Sequence, residues 1–343
     1  MTTGPETEDF AVPPGLEARE PPEARGRPRD GVRLLVGRRA TGEVSHHAFR
    51  DLPGLLRPGD LLVVNTAATL PAAVRLDRIG VHFSTPVPDA GDRLWLVELR
   101  RLTGTTTRPY PGGSPGEWIP LPGGATLTLV DRRTDRLWRA RLDTDVVPYL
   151  RRHGTPVRYG AVPHDQPIAA YQTVFAHDPS SGGAAMPGAA RPFTAALVTR
   201  LVSRGVLLAP ITLHAGAAPP EAHGPPPAER YTVPAPTAAL VRHVRAEGGR
   251  VIAVGTTAVR ALETAAASGR VEASEGWTDR VVTPESGVRA VDGLLTGLHG
   301  PRSPHLTTLA AIAGHSLVNS VYRAALDERY LFREFGDSHL LLP

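Results

Sequence analysis

The apolar positions of this chain keep two different rhythms. Residues 251–254 are four apolar residues in a row, as expected of a strand buried on both faces. Gly255-Thr256-Thr257 then predicts a tight turn, and Val259, Leu262 and Ala266 follow at helical spacing. Residues 61–65 form a second buried run behind the turn Pro58-Gly59-Asp60, and residues 32–36 read as an earlier strand. Residues 193–205 read as an amphipathic helix stopped by glycine, 207–213 as a strand, and 237–247 as a helix ended by Gly248-Gly249. A long helical stretch with a glycine inside it is expected over 306–327, and residues 219–227 form a proline-rich loop that resists regular structure. Alternating strands and helices argue for an α/β layered domain.

Residues 72–160 keep the other rhythm. Short alternating runs at 94–99, 125–130 and 137–142 are separated by Gly, Pro, Thr and Asp clusters such as Pro111-Gly112-Gly113-Ser114. That pattern predicts several short strands in a small barrel or sandwich.

The strand, glycine turn and helix start at 251–257 carry chemistry as well as shape. The first N–H groups of a helix lack intrahelical partners, and two threonine hydroxyls stand beside them here. Such a turn suits a carboxylate or phosphate, although an ordinary threonine-capped turn has the same spelling.

Composition narrows the field. At 343 residues the chain is long enough for two domains with real cores. No apolar run approaches the roughly 18 residues of a membrane span, and the first residues do not read as a secretory signal. The cytoplasm is therefore the expected compartment. There is no cysteine, which excludes disulfides, thiolate metal sites and cysteine nucleophiles. All 38 basic residues are arginine, so lysine Schiff bases and lysine general bases are excluded too. The arginine pairs 100–101, 132–133 and 151–152 make no dense stripe, and charge decides nothing about nucleic acid. No metal site is expected: His46 and His47 are adjacent, and neighbours on a strand point to opposite faces. The spaced glycines of phosphate loops and dinucleotide fingerprints do not occur.

Five segments, in order, resemble one family. They are Pro58 to Asn65 (PGDLLVVN), Tyr171 to Ala176 (YQTVFA), Thr212 to Gly216 (TLHAG), Arg250 to Glu263 (RVIAVGTTAVRALE) and Phe335-Gly336-Asp337. Together they resemble the S-adenosylmethionine:tRNA ribosyltransferase-isomerases of queuosine biosynthesis. The resemblance implies an α/β layered domain built from residues 1–70 and 160–343, with a small β-barrel domain inserted at 71–159. It also implies S-adenosylmethionine as a substrate, with its ribosyl moiety transferred to a deazaguanine in tRNA and isomerised. In such a reaction a base removes a proton from the 5′ carbon beside the sulfonium. An amine on the deazaguanine attacks the ribose, and adenine and methionine leave.

That chemistry needs a base, an amino-acid clamp and an adenine pocket. Gly255, Thr256, Thr257 and Arg260 are the expected clamp, unless Arg260 merely pairs with Glu263 one turn on. His214, at the end of an apolar strand, is the first candidate base, or else a strand-end cap. Glu229 is the second candidate. His299, in a glycine-rich loop, is expected to orient the sugar or the incoming acceptor. Gln172 either reads the adenine edge or satisfies strand backbone, and Asp337 either holds a ribose hydroxyl or caps a turn.

The family's wording is also altered here. Asn65 is followed by Thr66-Ala67-Ala68 and Pro71-Ala72-Ala73, where the family carries two arginines. The segment 185–193 has lost a threonine and a histidine, Pro227-Ala228-Glu229 keeps only the glutamate, and in 296–304 little but His299 survives. A divergent relative is expected. Two alternatives follow: an enzyme repurposed to use S-adenosylmethionine on a small-molecule acceptor, or a non-catalytic S-adenosylmethionine-binding relative.

Overall fold

A computed structural model describes residues 9–104, 106–159, 162–217 and 226–343. Most of the proline-rich loop expected over 219–227 lies outside the described residues.

A nine-stranded mixed sheet forms the centre. Its strands lie in the order Ser274–Thr278, Glu229–Val233, Leu207–Leu213, Leu61–Asn65, Val251–Val254, Gly293–Gly297, Ser338–Leu342, Arg33–Arg38 and Val44–Ala48. The four strands from Leu207–Leu213 to Gly293–Gly297 are mutually parallel. The two apolar runs without alternation, Leu61–Asn65 and Val251–Val254, are buried at every position. Successive side chains serve opposite faces. Leu61, Val63, Val251 and Ala253 pack under the helices Ala235–Ala246, Thr256–Ala265, Pro304–Ala313 and His315–Asp327. Leu62, Val64, Ile252 and Val254 pack on the other side with Phe49, Phe193, Leu197 and Leu201.

Local signals set the boundaries. Thr194 accepts from the Leu197 N–H and starts the helix Ala195–Ser203, which runs out just before Gly205 at φ 79°. The stretch expected to be one helix over 306–327 is two. Gly314 adopts φ 80° and ψ 152°, ending one helix and starting the next at His315. The turn before Leu61 is fixed by Asp60, whose carboxylate takes the Arg57 N–H at 2.7 Å and two bonds from the Arg250 guanidinium at 2.8 and 2.5 Å. Arg250 immediately precedes the neighbouring strand, so this pair locks the start of both central strands.

The region of short alternating runs forms a seven-stranded antiparallel sheet over its own core of Phe83, Trp95, Val97, Leu127, Leu129 and Trp138. The sheet is open: Ala73–Arg75 stands at one end of its path and Trp118–Pro120 at the other, with no ladder between them. A buried Glu98 inside it accepts from Arg100 at 2.8 Å and from Arg136 at 3.0 Å. The architecture is thus a mixed α/β fold with two large sheets. Among the described residues no helix is long and apolar enough to cross a membrane.

Candidate active site

Four parallel strands end along one edge of the central sheet, the position where open α/β sheets place ligands. Asn65 organises that edge. It is fully buried, its Nδ2 donates to Leu213 O at 2.9 Å, and its Oδ1 accepts from the N–H groups of Leu213 and Ala67 at 3.0 Å each. The same Nδ2 reaches the Thr257 hydroxyl at 3.3 Å. One amide therefore fixes two strand ends against the first turn of the helix Thr256–Ala265.

Gly255 makes the turn possible. At φ 89° and ψ 152° it occupies a region open essentially to glycine alone, and a Cβ there would stand 3.3 Å from Ala189. The N–H groups of Ala258 and Val259 return to Gly255 O, while those of Thr256 and Thr257 have no partner among the described residues. Thr256 shares a hydrogen bond with His305 Nδ1 at 3.0 Å. Ala189 belongs to the altered segment 185–193, so an apolar wall now faces the turn.

Arg260 and Glu229 form a close ion pair, which takes Arg260 out of the expected clamp, and the alternative partner Glu263 is engaged elsewhere. Glu263 lies fully buried and accepts from the N–H groups of Arg289 and Ala290. Arg260 also donates to Thr278 O and Arg280 O. The second Glu229 oxygen takes the Gly216 N–H at 2.7 Å, two residues beyond His214. Glu229 thus ties the His214 loop to the helix that carries the turn. Burial raises its carboxyl above the ordinary range, and Arg260 works against that rise. His214 is half-buried at the end of Leu207–Leu213 and donates its N–H to Arg230 O at 3.0 Å.

Histidines line the next strand end. His299 Nε2 meets the Thr296 hydroxyl at 3.2 Å, its N–H donates to the Tyr322 hydroxyl, and its ring lies 4.4 Å from that of His305. Burial lowers both imidazoles, with Arg333 adding to it at His299 and Arg260 at His305: His299 falls well below the ordinary histidine value, His305 to about 4. Both rings are therefore neutral near pH 7.

The remaining expected residues lie on supporting backbone. Gln172 exchanges two bonds with Thr69, accepting its N–H at 2.9 Å and donating to its O at 2.8 Å, as a strand residue would. Asp337 accepts from the N–H groups of Arg33 and Leu331, both at 2.8 Å. Asn65 and His305 are central here without having been singled out as site residues. Asn65 stood in plain view in the PGDLLVVN segment. His305 is marked only by the helix start at Ser303, whose hydroxyl accepts the His305 N–H.

The chain matches the family model described as queuosine biosynthesis protein over residues 6–341. It belongs to that family. Among the family's members, the S-adenosylmethionine:tRNA ribosyltransferase-isomerase of Symbiobacterium thermophilum is 38% identical, over 97% of this chain and 98% of its own length. The enzyme of the same name from Thiobacillus denitrificans is 37% identical over 97% and 96%. The crystal structure of the S-adenosylmethionine tRNA ribosyltransferase of Thermotoga maritima is similar with a TM-score of 0.55 and 29% identity, covering 97% of this chain and 99% of that one. Queuosine-family membership thus extends across both sheets.

Proposed function

We propose that this chain is an S-adenosylmethionine-dependent ribosyltransferase-isomerase that transfers the ribosyl moiety of S-adenosylmethionine to a deazaguanine in tRNA and isomerises it. The observation that carries the reading is identity of 37–38% to enzymes of that name along nearly the whole of both chains. The strand, turn and helix start at the centre of the site supply a fitting cradle. S-adenosylmethionine enters as substrate. The N–H groups of Thr256 and Thr257 with their hydroxyls receive the methionine carboxylate. Arg260 stands one helical turn on, its guanidinium committed to Glu229, Thr278 O and Arg280 O, and braces the helix that carries the turn. Gln172 and Asp337 fix the backbone that borders the nucleoside.

The sulfonium acidifies the carbons bonded to it, and His214 takes the 5′ proton. Glu229 positions His214 through Gly216 and is itself held by Arg260. His299, kept neutral, orients the sugar or the acceptor by hydrogen bonding rather than by charge. We read residues 71–159, which carry the open sheet, as an inserted domain, with residues 1–70 and 160–343 as the α/β domain. The reaction belongs in the cytoplasm and needs no metal.

A small-molecule acceptor is the second reading. It is favoured by the stretch after Asn65, where Ala67 and Ala68 are buried in a short strand and offer no cation to a phosphate backbone. Incubation of the purified protein with S-adenosylmethionine, with and without tRNA bearing the aminomethyl-deazaguanine, separates the readings. Adenine and methionine released only with that tRNA supports transfer to tRNA. Release that requires a small amine instead supports the second reading, and tight binding without release removes both.

A further inference from the structure

The seven-stranded sheet carries a cavity on the face turned away from its core. Val81, Phe83, Val97 and Leu99 pack into that core, so Gly80, His82, Glu98 and Arg100, their alternates on the strands Ile79–Pro86 and Leu94–Thr103, take the other face. Gly80 lies opposite Arg75 and Arg100, and His82 opposite Ala73 and Glu98. On this face Arg75, His82, Thr107 and Arg158, with small residues such as Ala73 and Gly80, line a cavity of about 60 Å³. That is several times the room one water needs. None of the described residues lining it is acidic.

The polar groups around it are set to donate. His82 is 4% exposed, and its Nδ1 is sealed without a partner among the described residues. Burial, and after it Arg100 and Arg75, lowers the imidazole to about 3, so the ring is neutral and carries one N–H. A sealed N–H without an acceptor is the costlier arrangement, which puts that proton on Nε2. Thr107 accepts from Arg100 Nε at 3.1 Å, so its own hydroxyl hydrogen points elsewhere. Arg75 gives its two terminal nitrogens to Asp165 at 2.7 and 2.5 Å and keeps Nε, while Arg158 reaches the same carboxylate at 2.7 Å. Glu98 is likewise shared by Arg100 and Arg136. Each of these carboxylates thus serves two guanidiniums, and Asp77 and Arg78 on the adjoining hairpin carry one charge of each sign. Glu334 is the further acid felt in this region, at Tyr159, whose ring stands 5.7 Å from that of His82. Positive charge remains in excess.

One strand joins the cavity to the active site. Two residues beyond His82, about 7 Å along the strand, Ser84 is buried and its hydroxyl has no partner among the described residues. A Cβ on Gly216 would stand 2.6 Å from that hydroxyl and 3.6 Å from Glu229 Oε1. The cavity therefore lies within a nucleotide's reach of the loop that carries His214. We propose that it is a phosphate subsite for the acceptor: a backbone phosphodiester of the tRNA, next to the nucleotide that receives the ribosyl group, seats on Arg75 Nε, His82 Nε2 and the Thr107 hydroxyl. The inference rests on the reading that the acceptor is tRNA. It supplies the cation that the stretch after Asn65 lacks. Donors fixed from behind by their own partners suit a tetrahedral anion, and Arg158 adds charge beside them. Asp165 weakens the site, because it competes with the phosphate for both guanidiniums.

The test measures binding of labelled tRNA bearing the aminomethyl-deazaguanine to the full-length chain by fluorescence anisotropy at several salt concentrations. Melting curves check the fold of each variant. Arg75→Gln should weaken binding roughly tenfold and lower the slope of log Kd against log salt by about 1, the signature of one lost phosphate contact. Asp165→Asn should act the other way and tighten binding several-fold. A merely structural Arg75–Asp165 pair would move both variants in the same direction, and that result overturns the inference. Inorganic phosphate should displace tRNA from the wild type better than chloride does at equal ionic strength, and this advantage should shrink in Arg75→Gln. If Arg75→Gln loses inorganic phosphate yet holds tRNA with the wild-type affinity and slope, the cavity serves a free anion and the inference fails. Adenine release by the wild type with the same tRNA keeps the ribosyl-transfer reading intact in either case. A wild type that neither binds that tRNA nor releases adenine with it ends the tRNA reading and the inference together.

Discussion

Asn65 and Thr257 meet at 3.3 Å across the strand-to-helix turn, through an amide whose other bonds all go to backbone. This single side chain therefore couples the stability of the sheet edge to the shape of the cradle. Asn65→Ala leaves the Leu213 N–H and C=O and the Ala67 N–H without their partner in a dry interior. A loss of about 2–4 kcal/mol in urea unfolding is expected, with weaker binding of S-adenosylmethionine in calorimetry. A variant as stable and as tight-binding as the wild type removes Asn65 from both roles.

Gly255→Ala should act on binding more than on stability. The backbone at φ 89° strains any side chain, and the new Cβ would press on Ala189 at 3.3 Å. About 1–3 kcal/mol of local strain is expected. The turn relieves it by shifting, and shifting withdraws the N–H groups of Thr256 and Thr257. Affinity for S-adenosylmethionine should drop at least tenfold while the melting temperature falls by only a few degrees. Unaltered affinity would place the methionine carboxylate elsewhere.

The Glu229–Arg260 pair should prove asymmetric. Removing one member of a buried pair strands the other, at roughly 3–5 kcal/mol. Glu229→Ala should therefore unfold at distinctly lower denaturant, and it also frees the Gly216 N–H. Glu229→Gln keeps an acceptor for Gly216 and should stay folded, with kcat reduced because the His214 loop is held less firmly. His214→Ala, by contrast, should abolish adenine release and leave unfolding unchanged. Full turnover in His214→Ala would take that imidazole out of the mechanism.

Acid should destabilise the protein through histidines kept neutral. His82 and His339 are buried, and burial lowers each to about 3, against 6.5 when exposed. In the unfolded chain each takes up a proton as pH falls through 6.5, whereas in the folded chain it does so only near 3. The unfolded state binds more protons over that window, so stability is complete above pH 6.5 and declines below it. Each histidine contributes about 1.4 kcal/mol per pH unit. Urea titrations at pH 7.5 and 5.5 should differ accordingly, and His339→Leu should flatten the slope. An equally stable protein at both values would show that these rings already carry a proton in the fold.

The legible parts of the chain were those in which one local signal decides the outcome. Leu61–Asn65, Leu207–Leu213 and Leu137–Leu142 fall where the apolar runs put them, because each run is short and bounded by a turn. The Gly255 turn was readable because no other residue fits its backbone. Partnerships across the fold were not readable. Arg260 has Glu263 three residues away in sequence, yet it pairs with Glu229, which the sheet brings up from another strand. The kink at Gly314 was hidden because the apolar spacing continues across it. Tyr159 and Tyr171 stood among ordinary aromatic positions, and only the packed structure shows that their hydroxyls are buried without a partner among the described residues.

The central strand also sets a schedule for biosynthesis. Asn65 leaves the ribosome long before Leu213, 148 residues downstream, can receive its amide. Leu61 to Val64 must wait, apolar on both faces, until neighbours on both sides have been translated. The nascent chain therefore carries an adhesive segment through most of its synthesis, and chaperone occupancy should peak there and end once Val254 has emerged.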